Sequence, residues 1–130
     1  MDQDPVIIFV CEHGAAKSIL AAAYFNKIAR QNNLRLTAIA RGTHPDAELS
    51  AKTIAGLRKD GLTPTESMPR KLARDEMDSA KSVVSFCALP EEYLQRGRVE
   101  YWAGVPPVRE DYEGARDTIV ERLKGFLERL

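Results

Sequence analysis

The chain has 130 residues, a length typical of one domain with its own hydrophobic core, and we expect a single domain over residues 1–130. Its 19 basic and 19 acidic residues cancel, which argues against a nucleic-acid or membrane-surface partner, and no apolar run approaches the roughly 20 residues of a membrane span. The acidic start M-D-Q-D-P is unlike a signal peptide, so two cysteines predict a cytoplasmic protein with reduced thiols.

The first predicted strand leads into the most informative segment of the chain. Val6–Val10 is a continuous apolar run, typical of a strand buried on both faces of a parallel sheet. It ends at Cys11, and five residues separate Cys11 from Lys17 and Ser18; they are Glu12, His13, Gly14, Ala15 and Ala16. A helix is predicted from Ser18, a candidate N-cap. Backbone N–H groups of such a loop bind anions, and the helix field favours thiolate over thiol. Either Cys11 is a reactive thiol beside an oxyanion pocket or it is a small buried core residue.

The rest of the chain alternates strands and helices. We predict strands at Leu34–Ala40, broken by Gly42 and Pro45, at residues 83–86, closed by Cys87, and at Val99–Trp102. Helices are predicted at Ser50–Asp60, Arg74–Ser79 and Asp111–Leu130, the last with Ile119, Leu123, Phe126 and Leu130 along one face. This alternation predicts an α/β fold with a parallel sheet and a ligand site at the carboxyl ends of the strands.

The segment from Cys11 to Ser18 resembles the phosphate-binding loop of the low-molecular-weight protein tyrosine phosphatases and of the arsenate reductases that share their fold. Three further segments resemble the arsenate-reductase branch: A-R-G-T-H-P from Ala40, S-V-V-S-F-C from Ser82 and V-E-Y-W-A-G-V-P-P from Val99. The resemblance implies a four-stranded parallel sheet in the order 2-1-3-4, flanked by helices on both faces. It also implies that Cys11 is the nucleophile, that residues 12–18 bind the oxyanion, and that Ser18 supports the thiolate by hydrogen bonding.

Two residues that define the chemistry of that family are replaced. The family has Arg at the position of Lys17, and lysine offers a point charge instead of a planar fork. If Lys17 is an anion ligand and not a solvated lysine, we expect weakened catalysis with anion binding retained. Arg41 is a candidate substitute cation. The family also places a general-acid Asp before a Pro where this chain has Val105 and Pro106. Asp111 is therefore a candidate acid, although a carboxylate there could simply begin the helix.

The second cysteine suggests redox chemistry. The implied strand order places Cys87 at the same sheet edge as Cys11, and the thioredoxin-coupled arsenate reductases use a cysteine matching Cys87 to attack the first one. Those enzymes carry a further resolving cysteine where this chain has Leu94, Gln95 and Arg96. A Cys11–Cys87 pair, a glutathione-type resolution and a plain core cysteine remain open. The two histidines have no ligand-spaced carboxylate or cysteine, so we expect no metal and no cofactor; His13 is expected to be a rim residue.

These observations predict a cysteine-dependent, phosphatase-like protein that acts on phosphotyrosine, aryl phosphate or arsenate through Cys11. Its partners would be the oxyanion substrate and, for arsenate, a thiol reductant, with no nucleic acid and no membrane. The alternatives are a non-catalytic oxyanion- or phosphoprotein-binding module and a Cys11/Cys87 redox pair.

Overall fold

The apolar run before Cys11 forms the central strand of the sheet. The structure, a computed structural model, describes residues 4–94 and 98–130, so the start M-D-Q lies outside the described residues. The strands are β1 (Val6–Cys11), β2 (Thr37–Gly42), β3 (Ser82–Ser85) and β4 (Val99–Tyr101). All pairings are parallel, and the order is β2-β1-β3-β4. The predicted order is therefore confirmed.

Helices cover both faces of this sheet, as expected. They are α1 (Lys17–Gln31), α2 (Ala51–Lys59), α3 (Arg74–Ser79), α4 (Glu91–Leu94) and α5 (Tyr112–Glu128). Alternate side chains of β1 point to opposite faces: Ile7 and Phe9 pack among residues of α1 and α5, whereas Ile8 and Val10 pack with Met77 of α3 and other residues on the opposite face. In α5 the predicted apolar face is buried as far as Phe126, but Leu130 lies beyond the helix and is 37% exposed.

The second strand begins three residues later and ends two residues later than its apolar pattern predicted. Its pairing with β1 runs from Val6 opposite Thr37 to Cys11 opposite Gly42. Leu34–Leu36 therefore come before the first residue of β2 that pairs with β1. Gly42 does not break the strand but ends it, because the segment at residues 70–72 pairs with it: Gly42 N donates to Arg70 O at 2.8 Å, and Leu72 N donates to Gly42 O at 2.9 Å. The pairing partner, not local alternation, sets the bounds of β2.

A polar cluster around Asp60 joins α1, α2 and α5. The Tyr24 and Tyr112 hydroxyls donate to Asp60 Oδ2 at 2.5 and 2.9 Å, and Arg116 Nη1 lies 3.3 Å from Oδ1. Burial by itself would raise the pKa of Asp60, but the two hydroxyl hydrogen bonds and the charge of Arg116 outweigh it and hold that pKa below its usual value. The cluster is thus built around an ionised carboxylate. Within the described residues, no helix is both long and apolar enough to cross a bilayer.

Candidate active site

A cavity of about 430 Å³ opens at the carboxyl ends of β1 and β3. It brings together residues from four segments: Cys11, Glu12, His13, Ala15, Ala16, Lys17, Asp46, Ser50, Phe86, Cys87, Pro107, Val108 and Arg109. Most of the residues predicted to bind an oxyanion are in this set. Gly14 and Ser18 are buried and do not line the cavity, and neither Arg41 nor Asp111 lines it.

The thiol of Cys11 lies where β1 ends and is only slightly exposed, at 9%. Its Sγ is 3.0 Å from the hydroxyl of Ser18, which is fully buried. Helix α1 begins at Lys17, so Ser18 is in the first turn, and the N-cap position falls on Ala16, whose side chain makes no capping hydrogen bond. The expectation that Ser18 caps the helix is wrong, because its hydroxyl is directed to the thiol instead.

The loop after Cys11 is held from outside by the segment at residues 43–50. Four backbone N–H groups of that segment donate to loop carbonyls: Thr43 to Cys11 at 3.3 Å, His44 to Glu12 at 2.7 Å, Asp46 to His13 at 3.0 Å and Ser50 to Ala15 at 2.9 Å. A trans peptide holds its carbonyl and the following N–H on opposite sides. The N–H groups of residues 12, 13, 14 and 16 are therefore directed away from this segment.

Two glycines let the loop approach the end of β2 this closely. Gly14 has φ = 61°, in the left-handed region that favours glycine. A Cβ on Gly42 would lie 2.7 Å from Gly14 N, and a Cβ on Gly14 would lie 2.9 Å from Gly42 N. Both obstacles are backbone atoms, so neither position can carry a side chain without displacing the loop.

The cations at the cavity are Lys17 and Arg109. Arg109 lies in the turn before α5, and its carbonyl accepts a hydrogen bond from Lys52 Nζ at 2.9 Å. Sequence analysis missed Arg109, because a single exposed arginine after Pro107 has no local pattern to mark it. Arg41, in contrast, is nearly buried: its Nη2 is 2.8 Å from Glu76 Oε2, and its Nη1 is 3.3 Å from a Glu66 oxygen. The structure places Arg41 in an internal ion-pair cluster and not at the site.

The candidate general acid, Asp111, is likewise placed outside the cavity. It is the N-cap of α5, and its Oδ1 accepts a hydrogen bond from Gly114 N at 2.8 Å. A carboxylate in this position satisfies a backbone donor at the start of the helix and lies at the favourable end of its dipole. The structure thus gives Asp111 the helix-starting role that the sequence left open.

Cys87 lines the same cavity as Cys11, and both thiols are free. Its backbone N–H donates to Ser85 Oγ at 3.2 Å, and Ser85 Oγ in turn donates to the Cys87 carbonyl at 2.7 Å. Burial, with a contribution from the neighbouring Cys11, raises the pKa of the Cys87 thiol, which favours its protonated form. Gln95 and Arg96, in the region where the thioredoxin-coupled enzymes carry another cysteine, lie outside the described residues.

The two histidines have different surroundings. His13 is on the cavity wall, where its Nδ1 lies 3.2 Å from Asp46 Oδ1 and its Nε2 lies 3.8 Å from Glu12 Oε2. His44 contacts Thr43 Oγ1 at 3.2 Å and does not line the cavity. In the described part of the chain, no group of three or more His, Cys, Asp or Glu residues is arranged to hold a metal ion.

Comparison with known proteins agrees with this geometry. Residues 6–118 match the family model of the low molecular weight phosphotyrosine protein phosphatases. A Halobacterium salinarum protein named "Putative arsenate reductase" is 24% identical over 112 residues, covering 84% of this chain and 79% of that protein. The YfkJ structure from Bacillus subtilis has a TM-score of 0.85 at 16% identity, covering 98% of this chain and 95% of YfkJ. The Archaeoglobus fulgidus arsenate reductase structure has a TM-score of 0.75 at 25% identity, covering 94% of this chain and 98% of that one. The chain therefore belongs to the low molecular weight phosphotyrosine protein phosphatase family.

Proposed function

We propose that this protein hydrolyses aryl phosphate monoesters through a Cys11 phosphoenzyme. The observation that carries the proposal is the position of the Cys11 thiol, 3.0 Å from a buried serine hydroxyl, at the start of a loop whose carbonyls are turned outward. The N–H groups of residues 12, 13, 14 and 16 are directed to the other side, where in this proposal they bind the phosphoryl oxygens. Donors fixed in this way stabilise charge without reorganising during the reaction.

The reaction has two steps. In the first, the Cys11 thiolate attacks phosphorus, an S–P bond forms, and the bond from phosphorus to the aryl oxygen breaks, with its electron pair leaving on oxygen. In the second, water attacks phosphorus, the S–P bond breaks, and inorganic phosphate and the thiolate are released. Covalent catalysis of this kind divides one difficult displacement into two easier ones. The Ser18 hydroxyl donates to the thiolate when it is the attacking and the leaving group.

Lys17 and Arg109 supply positive charge to the bound oxyanion in this proposal. Neither reproduces the family arginine at the start of the helix, because Lys17 is a point charge and Arg109 belongs to another segment. Phosphate binding is thus retained, whereas the bidentate alignment of the in-line transition state is weakened. We expect turnover to be slow for this reason.

Arsenate reduction is the second candidate, and the presence of Cys87 in the same cavity favours it. Cys11 would attack arsenate and displace one oxygen as water. The Cys87 thiol would then attack Cys11 Sγ, and the electron pair of the S–As bond would reduce As(V) to As(III) as the Cys11–Cys87 disulfide forms. A thiol reductant must then restore both thiols. The relatives named as arsenate reductases support this candidate, and two free thiols agree with a reducing compartment such as the cytoplasm.

Steady-state hydrolysis of 4-nitrophenyl phosphate tests the proposal. Cys11→Ser should abolish turnover, and the matched variant Cys87→Ser should retain it. If only arsenate in the presence of dithiothreitol or thioredoxin is turned over, and both cysteines are required, the reductase is correct instead. Absence of both activities, with phosphate still bound, would indicate the non-catalytic oxyanion-binding module. A Cys11–Cys87 disulfide that forms reversibly without any oxyanion would indicate a redox pair.

A further inference from the structure

The proposed hydrolysis needs a proton donor that the loop before α5 does not supply. The aryl oxygen leaves with an electron pair and must be protonated, yet this loop has Val105, Pro106 and Pro107 where a carboxylic acid would be expected. Asp111 caps α5 and does not line the cavity. Among the described residues that line the cavity, the remaining candidates are Glu12, His13 and Asp46, besides the two thiols and two cations.

We propose that His13, held by Asp46, is the general acid and base of this site. This inference rests on the proposed hydrolysis and adds a catalytic group to it. His13 follows the nucleophile by two residues, and imidazole is the side chain whose ordinary titration lies nearest neutral pH. Such a group can donate a proton in one step and accept it back in the next.

Two contacts join His13 to Asp46, one between the side chains and one between the backbones. Asp46 Oδ1 is 3.2 Å from His13 Nδ1, and the Asp46 backbone N–H donates to the His13 carbonyl at 3.0 Å. Because the Asp46 carboxylate lies beside Nδ1, in this proposal Nδ1 carries its proton on that side and Nε2 is the nitrogen that exchanges a proton with substrate. Nε2 is 3.8 Å from the nearest Glu12 oxygen, too far for a hydrogen bond. Asp46 is therefore a positioning residue, and His13 Nε2 is the catalytic atom.

The location of the ring matches the expected position of the aryl oxygen, the leaving group of the first step. Both residues line the cavity, but Cys11 is only 9% exposed whereas the His13 side chain is 57% exposed, so we infer that the thiol lies at the base and the ring nearer the mouth. In an in-line displacement the leaving oxygen lies opposite the attacking sulfur, so it points from the base towards the mouth. Protonated Nε2 would give its proton to this oxygen, and neutral Nε2 would then take a proton from the attacking water.

Titratable or charged groups from each adjoining segment line the same cavity as this ring. The loop itself contributes Cys11, Glu12 and Lys17, the segment 43–50 contributes Asp46, and the segments after β3 and before α5 contribute Cys87 and Arg109. The pH profile of any single variant therefore reports on several groups together. The contribution of the general acid is therefore measured by comparing substrates whose leaving groups do and do not need a proton.

The experiment measures kcat/KM, which reports the first step, for phenyl phosphate and for 2,4-dinitrophenyl phosphate, whose leaving group needs no proton. His13→Asn should lower kcat/KM for phenyl phosphate by about 10²–10⁴-fold, the usual contribution of a general acid, and change the dinitrophenyl value little. Asp46→Asn should give a smaller loss with the same substrate dependence and a shifted pH profile. His44→Asn, which changes the histidine outside the cavity, should match wild type with both substrates.

Two results would overturn the assignment of His13 as general acid while leaving the proposed hydrolysis in place. One is Cys11-dependent hydrolysis of phenyl phosphate that His13→Asn leaves unchanged, and the other is an equal loss with both substrates, which would reflect altered binding or loop structure. The melting temperature with and without inorganic phosphate, measured for His13→Asn and for His13→Gln, establishes that the loop still binds the anion. If wild-type turnover is absent or unaffected by Cys11→Ser, the proposed hydrolysis fails, and the role of His13 fails with it.

Discussion

A methyl group added at Gly42 tests whether close contact between β2 and the Cys11 loop sets the geometry of the site. The added Cβ would lie 2.7 Å from Gly14 N and 2.9 Å from Gly14 Cα and from the His13 carbonyl carbon. All three are backbone atoms, so no side-chain rotation relieves the clash. The loop must move away from the end of β2.

The size of the effect follows from these distances. Ordinary van der Waals contact begins at 3.4 Å, so the loop must shift by 0.7 Å, the difference between 3.4 and 2.7 Å. Overpacking of this kind typically costs about 1–3 kcal/mol of unfolding free energy, and a domain of this size loses about 4 °C in melting temperature per kcal/mol. Because a misplacement near 1 Å can cost about 10²-fold in rate, we expect Gly42→Ala to lower kcat/KM by about 10- to 100-fold.

The assay combines thermal unfolding with hydrolysis of 4-nitrophenyl phosphate. Gly125→Ala is the matched control, because its Cβ would meet only a distant atom of the flexible Arg129 side chain, at 3.9 Å. Removing a glycine from the interior of α5 should stabilise the protein by about 0.5–1 kcal/mol and leave activity unchanged. If Gly42→Ala has the melting temperature and activity of wild type, the contact does not position the loop, and the reasoning is refuted.

Three further predictions concern single side chains. Lys17→Arg should raise kcat/KM for aryl phosphate about tenfold, the contribution of one charge-assisted hydrogen bond; a decrease would mean that lysine suits another substrate. Arg41→Met should lower the free energy of unfolding in urea by about 3–5 kcal/mol, because it leaves carboxylates unpaired. Titration of the folded variant with phosphate should give the wild-type affinity, and loss of phosphate binding would place Arg41 at the site after all. Asp60→Asn should cost about 1–3 kcal/mol at pH 7. Folding lowers the pKa of Asp60, so the stabilisation from its carboxylate is present above the unfolded pKa of 3.8 and is lost as pH falls through the folded pKa. The difference in unfolding free energy between Asp60→Asn and wild type should therefore shrink in acid. An equal difference at pH 7 and in strong acid would contradict this.

Sequence patterns predicted most of the fold because its elements carry local signals. The apolar run of β1, the helical spacing after Ser18 and the apolar face of α5 each identify an element by periodicity alone. Alternation of strands and helices then implies parallel pairing, and the resemblance gave the order of the strands. The predicted start of β2 was wrong because pairing with another strand, and not local sequence, sets it. Leu34–Leu36 have strand-like alternation, but the pairing of β1 with β2 begins only at Thr37.

Apart from Cys87, whose place near Cys11 followed from the implied strand order, the candidate site was predicted only within the continuous segment from Cys11 to Ser18. Cys11 and Ser18 are seven residues apart, and the contact between them follows from a strand, a loop and a helix start. The other residues that complete the cavity come from loops outside the strands, and their spacing in sequence carries no information about distance. Asp46 and Arg109 were missed for this reason, and Arg41 and Asp111 were chosen although other partners hold them.

The sequence by itself determined the candidate nucleophile, the loop that follows it and the parallel α/β architecture, since each depends on the order of neighbouring residues and on their apolar period. Only the tertiary structure decided which charged side chains share the cavity with Cys11. Hydrogen bonds between residues 11–15 and 43–50 bring Asp46 to His13, and the internal carboxylates draw Arg41 away from the cavity. A buried cation is held where its counter-charges are, because leaving it unpaired costs several kcal/mol, and that pairing is a property of the folded chain.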